Sequence, residues 1–180
     1  MITARAFYYL RHGETTWNAQ NLSQGVIDIP LNEVGIAQAH AAAARLRGRG
    51  IRTIVASPLS RATRTAEIVA AALELPVSQD PELAEVAFGV QEGQPMGDWF
   101  EHWLAGERTP EGAETFADLG DRGVRAINRA LALEAPVLVV AHGALFRALR
   151  GRMGLPTTVR TANAAPVFCE PGDPWTLAAV

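Results

Sequence analysis

Three short apolar runs, Ala6 to Leu10, Thr53 to Ala56 and Pro136 to Ala141, each stop at a polar residue, and each is followed by a helix signal. Runs of this length without polar alternation read as strands buried on both faces, and parallel strands need crossover helices between them. After the first run, Asn32 is placed to cap an alanine-rich helix reaching about Arg47, closed by Gly48 and Gly50. After the second, Ser57-Pro58 places a capping serine before a proline at the first helical position, opening a helix to about Leu73. After the third, Gly143 leads into Leu145, Phe146 and Leu149 on one face, with a stop near Gly151. Phe116, Leu119, Gly123, Ile127 and Leu131 recur at helical spacing as well. The alternation predicts an α/β fold with a largely parallel sheet. At 180 residues, one domain spanning residues 1–180 is expected.

Two stretches depart from this rhythm. Leu75 to Gly112 is rich in Pro, Gly, Glu and Gln and carries Trp99, Phe100 and Trp103; it reads as a long, lid-like excursion with a short helix around Gly97 to Ala105. Its aromatics read first as packing and second as a substrate platform. The tail suggests two short strands, Pro166 to Cys169 and Trp175 to Ala178, around a Pro-Gly-Asp-Pro turn.

Open α/β sheets bind ligands at the carboxyl ends of their strands. The first strand runs into Arg11-His12-Gly13, the second into Ser57-Pro58-Leu59-Ser60-Arg61, and the third into His142-Gly143. If these strands are neighbours, two arginines and two histidines converge. Arginine offers a planar fork of donors matched to phosphate oxygens, and neutral histidine is a competent nucleophile.

Composition narrows the chemistry. All 16 basic residues are arginine, so Schiff-base lysines and the lysine-bearing phosphate loop are excluded. A net charge of -3 supplies no basic field for nucleic acid. No apolar run approaches the roughly 18 residues of a spanning helix, so no membrane partner is expected. Cys169 has no partner for an internal disulfide, and Met1 to Phe7 lack a long apolar stretch with a cleavage site, which points to a reduced, cytoplasmic protein. Cys169 itself reads as a small core residue. His40 and His102 stand alone, without HExxH or paired-cysteine spacing. Neither a metal nor a cofactor is expected.

The chain resembles the histidine phosphatase superfamily, in the branch of the cofactor-dependent phosphoglycerate mutases and small bacterial phosphatases. The blocks that carry the resemblance are Arg11-His12-Gly13-Glu14-Thr15-Thr16-Trp17-Asn18, Gln24-Gly25 with Asp28, Pro30 and Leu31, and Ser57-Pro58-Leu59-Ser60-Arg61-Ala62 with Thr65-Ala66. Further along come Glu85 to Gly89 with Glu92-Gly93, Gly112 with Glu114, and Val140-Ala141-His142-Gly143. The resemblance implies a three-layer sandwich, with helices on both faces of the sheet. It also implies that His12 becomes phosphohistidine and that Arg11, Arg61 and His142 bind the transferred phosphoryl group with help from Asn18. Gln24, Gly25 and Gly143 join that phosphate pocket, and Glu85 is the proton donor to the leaving group.

In the mutases of this family a longer excursion carries a further basic cluster, whereas residues 86 to 112 here contain only Arg108. Hydrolysis of a small-molecule phosphomonoester is therefore the primary expectation, followed by mutase activity and then by a weakly active phosphate-binding or signalling module. The apolar excursion suggests a substrate with a non-anionic body, nucleoside-like or aromatic. Oligomeric state is left open.

Overall fold

The computed structural model describes residues 1–180. Six strands form one sheet: β1 (Phe7–Arg11), β2 (Thr53–Ala56), β3 (Val77–Gln79), β4 (Val137–Ala141), β5 (Val167–Glu170) and β6 (Thr176–Ala179). Their spatial order is β3-β2-β4-β1-β5-β6. β3, β2, β4 and β1 run parallel, and β5 is antiparallel to both β1 and β6. β1 and β4 are buried at all five positions each; β4 is apolar throughout, and β1 is apolar up to Arg11 at its end.

The helices are α1 (Thr16–Ala19), α2 (Glu33–Leu46), α3 (Ser60–Leu73), α4 (Asp98–Leu104), α5 (Phe116–Leu131) and α6 (Gly143–Arg152). Successive strand residues point to opposite faces, which divides the core in two. Tyr9, Val55, Val137 and Val139 pack with Leu119, Ile127, Leu145 and Phe146 of α5 and α6. Leu10, Ile54, Leu138 and Val140 pack with Ala42, Ala43, Ala66 and Val69 of α2 and α3. The three-layer α/β architecture is thus the observed one, with alanines at the α2 and α3 contact surface.

Three local expectations change. Ser57 does not cap α3: the helix begins at Ser60, and Leu59 stands at its cap without a side-chain bond. The cap comes instead from Asp28, whose Oδ1 accepts the Ser60 N–H at 2.7 Å, while Ser57 Oγ lies 2.7 Å from His142 Nε2. The start of the excursion contributes an unanticipated edge strand, β3, and the stretch after Thr15 forms the single turn of α1 behind a reciprocal Thr15–Asn18 capping box.

The excursion is a wall of the fold. Phe88, Trp99, Phe100, Trp103 and Phe116 form a chain of ring contacts with centroids 5.0 to 5.9 Å apart. Trp103 is fully buried and donates from Nε1 to the Glu114 carbonyl at 2.9 Å. On its other side the excursion joins the loop after α1, where Ser23 N–H donates to Gln94 and Gly93 N–H donates to Ser23.

Candidate active site

The register of the sheet places the polar strand ends at one level. Arg11 is opposite Ala141, and Ala56 is opposite Val140. Continuing the ladder, His12 N–H donates to the Ala141 carbonyl at 2.9 Å and Ser57 N–H to Val140 at 3.0 Å. The three named strands are therefore adjacent, with β4 in the middle. Above them lies a cavity of about 200 Å3 whose walls include Arg11, His12, Asn18, Gln24, Gly25, Arg61, Glu85 and Gly143.

His12 is buried, and its Nδ1 sits 2.6 Å from the Gly13 carbonyl. A carbonyl only accepts, so the proton belongs on Nδ1 and Nε2 keeps its lone pair. Burial, followed by the charges of Arg61 and Arg11, pushes the His12 pKa well below the usual range. The imidazole is neutral at physiological pH. Gly13 N–H is itself held by Thr65 Oγ1 at 3.0 Å, and that hydroxyl donates to the Arg61 carbonyl at 2.7 Å.

Arg61 is 1% exposed although it is a full charge. Its Nη1 donates to the Ile27 carbonyl at 2.9 Å and its Nη2 to Gly25 at 2.7 Å, leaving Nε buried without a partner. Gly25 is required where it stands. Its φ is +55°, and a Cβ there would lie 2.1 Å from the Glu92 carboxylate. Arg11 donates from Nη1 to Thr161 at 2.7 Å, and its Nε is also buried and unpartnered. Burial, then repulsion from Arg160, lowers the Arg11 pKa to about 10, still protonated at neutral pH. Gly143 lets this guanidinium lie close, since a Cβ at 143 would be 3.1 Å from Arg11 Nε. Buried donors without partners are rare in proteins, and here two arginines that line one cavity each keep one.

Glu85 is held at the first turn of α6. Ala144 N–H donates to its Oε2, while Leu145 and Val86 N–H donate to Oε1, all at 3.0 Å. Three backbone donors fix the direction of the carboxyl group. Asn18 accepts from Thr15 N–H and from Asn163 Nδ2, and buried Gln24 accepts the Thr15 hydroxyl at 2.7 Å.

His142 differs from the other anticipated site residues. It does not form part of the cavity wall: it is fully buried, with its ring centroid 5.3 Å from that of His12. Its Nδ1 is unpartnered, and burial with the charge of Arg61 lowers its pKa well below the usual range. The Tyr9 hydroxyl donates to the His142 carbonyl at 2.9 Å and accepts its N–H at 3.1 Å, while the Tyr9 ring stacks on Phe146.

Several residues of the site carry no strand-end signature. Asn163 Nδ2 donates to the His12 carbonyl at 3.0 Å, and Ala164 N–H donates to Arg11 at 2.9 Å, so the stretch before β5 straps the end of β1. Arg147 and Arg160 also line the cavity, as does Phe100 of the excursion. Thus one of the three aromatics reaches the site while Trp103 serves the core. His40 is exposed, and exposed His102 bonds Glu107 at 2.7 Å. Cys169 is buried in the core, which pushes its thiol pKa up. No helix is long and apolar enough to cross a membrane.

Known proteins are similar to this chain in fold and sequence. A mycobacterial glucosyl-3-phosphoglycerate phosphatase with bound VO3 superposes with a TM-score of 0.87 at 30% identity, over 98% of both chains. A phosphoserine phosphatase of Entamoeba histolytica in complex with 3-phosphoglyceric acid gives 0.79 at 25% identity, over 91% of this chain and 89% of that one. The probable phosphoglycerate mutase GpmB of Yersinia pestis is 42% identical over 162 residues, covering 83% of this chain and 75% of that protein. The model of the histidine phosphatase superfamily (branch 1) matches residues 7–160, a span that takes in every cavity residue except Thr161. With the fold, the paired strand-end histidines and that match in agreement, the chain belongs to the histidine phosphatase superfamily.

Proposed function

We propose that the protein is a phosphatase that hydrolyses small-molecule phosphomonoesters through a phosphohistidine on His12. The observation that carries this reading is the His12 imidazole, neutral and with Nε2 free, at a cavity lined by Arg11 and Arg61, two buried arginines whose Nε atoms lack partners. Phosphoryl transfer asks a protein mainly for alignment and for charge to meet the equatorial oxygens.

In the first step, His12 Nε2 attacks phosphorus and the ester P–O bond breaks. The departing oxygen takes a proton from Glu85 and leaves as the alcohol. In the second step, Glu85 removes a proton from water, whose oxygen attacks phosphorus as the N–P bond breaks; this releases phosphate and restores both residues. Arg11 and Arg61 hold the phosphoryl oxygens throughout, aided by Asn18, while His142 packs its ring beside that of His12. The nucleophile, donor and clamps are all side chains of this chain, so the cycle runs without metal or cofactor.

Resemblance to a mutase-named relative at 42% identity favours a second reading, in which the phosphohistidine returns its phosphoryl group to the same carbon skeleton. Hydrolysis is preferred because residues 86 to 112 contribute only Arg108 as a basic residue and because the phosphatase neighbour matches over 98% of both chains. The deciding experiment offers p-nitrophenyl phosphate and a panel of phosphomonoesters, and separately 3-phosphoglycerate primed with 2,3-bisphosphoglycerate. Stoichiometric phosphate release is expected. Rapid isomerisation with negligible phosphate release would overturn the hydrolase reading.

A further inference from the structure

Tyr9 stands in the middle of β1, paired with Val139 of β4 on one side and Val167 of β5 on the other, and is fully buried. Phenylalanine would fill the same space without a hydroxyl to satisfy, and a buried hydroxyl is costly unless it finds partners. Here both partners belong to one residue. The hydroxyl donates to the His142 carbonyl and accepts the His142 N–H, so it closes on both backbone groups of the residue that caps α6. Burial raises the phenol pKa well above its usual range, so the hydroxyl keeps the proton that it donates. The Tyr9 ring stacks on Phe146, one turn further along α6, with centroids 4.1 Å apart.

The turn held in this way is the turn that holds Glu85. His142 offers α6 no side-chain cap, and the N–H groups of Ala144 and Leu145 go to the Glu85 carboxyl group instead. Its two oxygens are not equivalent. Oε1 meets two donors, Leu145 and Val86, whereas Oε2 meets only Ala144. With both lone pairs of Oε1 engaged, a transferable proton belongs on Oε2, and Ala144 N–H sets the direction of that oxygen. Glu85 and Ala144 line the cavity, and Tyr9 lies behind them. The strand that carries Tyr9 runs directly on to Arg11 and His12. One phenol thus joins the strand of the nucleophile to the turn of the acid.

We propose that Tyr9 is a positioning residue for proton delivery, its hydroxyl fixing the turn of α6 that aims Glu85 Oε2 relative to the strand that bears His12. The proposal rests on the phosphatase reading, with Glu85 as the acid. As the bond from His12 Nε2 to phosphorus forms and the ester P–O bond breaks, the proton passes from Oε2 to the departing oxygen, and alignment of the two groups governs the rate. Esters differ in how much they need that proton. An alkyl alcohol must leave protonated, whereas p-nitrophenolate leaves as a stable anion. Loss of the Tyr9 hydroxyl should therefore tell on the first kind of ester alone; a hydroxyl that served only the fold would affect both alike.

The test measures kcat/KM, which covers the steps up to the phosphohistidine, for benzyl phosphate and p-nitrophenyl phosphate at a temperature where circular dichroism shows each protein folded. Tyr9→Phe should lose about tenfold on benzyl phosphate, part of the roughly 10²- to 10⁴-fold contribution of a positioned acid, and less than about twofold on p-nitrophenyl phosphate. In a Glu85→Gln background the same substitution should cost little on either ester, because there is no proton left to aim. Equal losses on the two esters, an unchanged rate with benzyl phosphate, or a loss that persists undiminished in the Glu85→Gln background would overturn the proposal. Should Tyr9→Phe fail to fold, 3-fluorotyrosine placed at position 9 keeps the ring and weakens the oxygen as an acceptor; the same preference between esters is expected in smaller measure, and its absence counts against the proposal. Amide hydrogen exchange reads the clamp without turnover: Ala144 and Leu145 should exchange about tenfold faster in Tyr9→Phe, the effect of roughly one lost hydrogen bond, with Ile127 of α5 unchanged. Absence of phosphate release from every ester would defeat the phosphatase reading, and unaltered exchange at Ala144 and Leu145 would defeat the clamp.

Discussion

Arg122 grips both carboxylate oxygens of Glu114, with Nε at 2.9 Å and Nη2 at 2.7 Å, and the same guanidinium holds the backbone that delivers Glu85. Its Nη1 donates to the carbonyls of Glu82 and Ala84 at 2.7 and 2.8 Å. α5 thus positions Glu85 without touching the cavity. Arg122→Gln should lower kcat about 10- to 100-fold with a smaller change in KM, the cost of misplacing a reacting group by a fraction of an ångström to an ångström. Arg122→Lys should not restore it, because an ammonium cannot replace the fork. Equal kcat in wild type and Arg122→Gln would show that Glu85 is held well enough by α6 alone.

His12→Ala should abolish acid-labile phosphate labelling of the protein. Glu85→Gln should still bind substrate but turn over about 10²- to 10⁴-fold more slowly, the usual contribution of a positioned acid–base group. Quench-flow labelling with a radioactive phosphomonoester distinguishes the two variants, and normal turnover by His12→Ala would end the mechanism.

Stability should fall in mild acid. His12 and His142 have folded-state pKa values lowered chiefly by burial, so between those values and about 6.5, the ordinary histidine value, the unfolded chain binds more protons. Their contribution is fully present above about pH 6.5 and is lost as the pH falls, with a limiting slope of about 1.4 kcal/mol per pH unit for each. Melting temperatures between pH 7.5 and 5 should drop in the wild type and drop less in His12→Gln/His142→Gln. Parallel curves for the two proteins would assign the acid sensitivity to other groups.

Asp28→Ala removes the bond to Ser60 N–H that stands in for a local cap of α3. The expected loss is about 1 kcal/mol. For a chain of this length that corresponds to a fall in Tm of about 2–4 °C. Asp28→Asn should retain most of the cap, so a Tm equally depressed in both variants would point to the charge on Arg61 instead.

Chelators should leave phosphate release intact, because His12, Glu85 and the arginines perform the whole proposed cycle. Loss of activity restored by added divalent metal is the outcome that contradicts it.

What could be read from the sequence was whatever repeats or sits beside a strand. Arg11, His12, Arg61 and His142 follow apolar runs closely, and Asn32 does cap α2, accepting Gly35 N–H at 2.8 Å. The remainder depends on contacts between distant segments, which leave no period. Asn163 meets His12 across 151 positions, and Arg122 reaches Glu82 across 40. Arg147 lies among helical residues whose apolar pattern marks the core, so it reads as a solvated position. Ser57 carried a genuine capping signal that was overridden, because its hydroxyl meets His142 and Asp28 takes over the helix end. β3, at three residues, is too short for a pattern to develop.

The carbonyls of Gly25 and Ile27 aim Arg61, and Asp28 closes the helix that bears it. The proposed phosphate clamp therefore relies on a loop more than thirty positions earlier as well as on its own helix. On the proposed mechanism, activity depends on that loop being docked and should be lost when it lifts. Along a denaturant series, phosphate release should then decline ahead of helical circular dichroism, so that the proposed activity reports the placement of one loop.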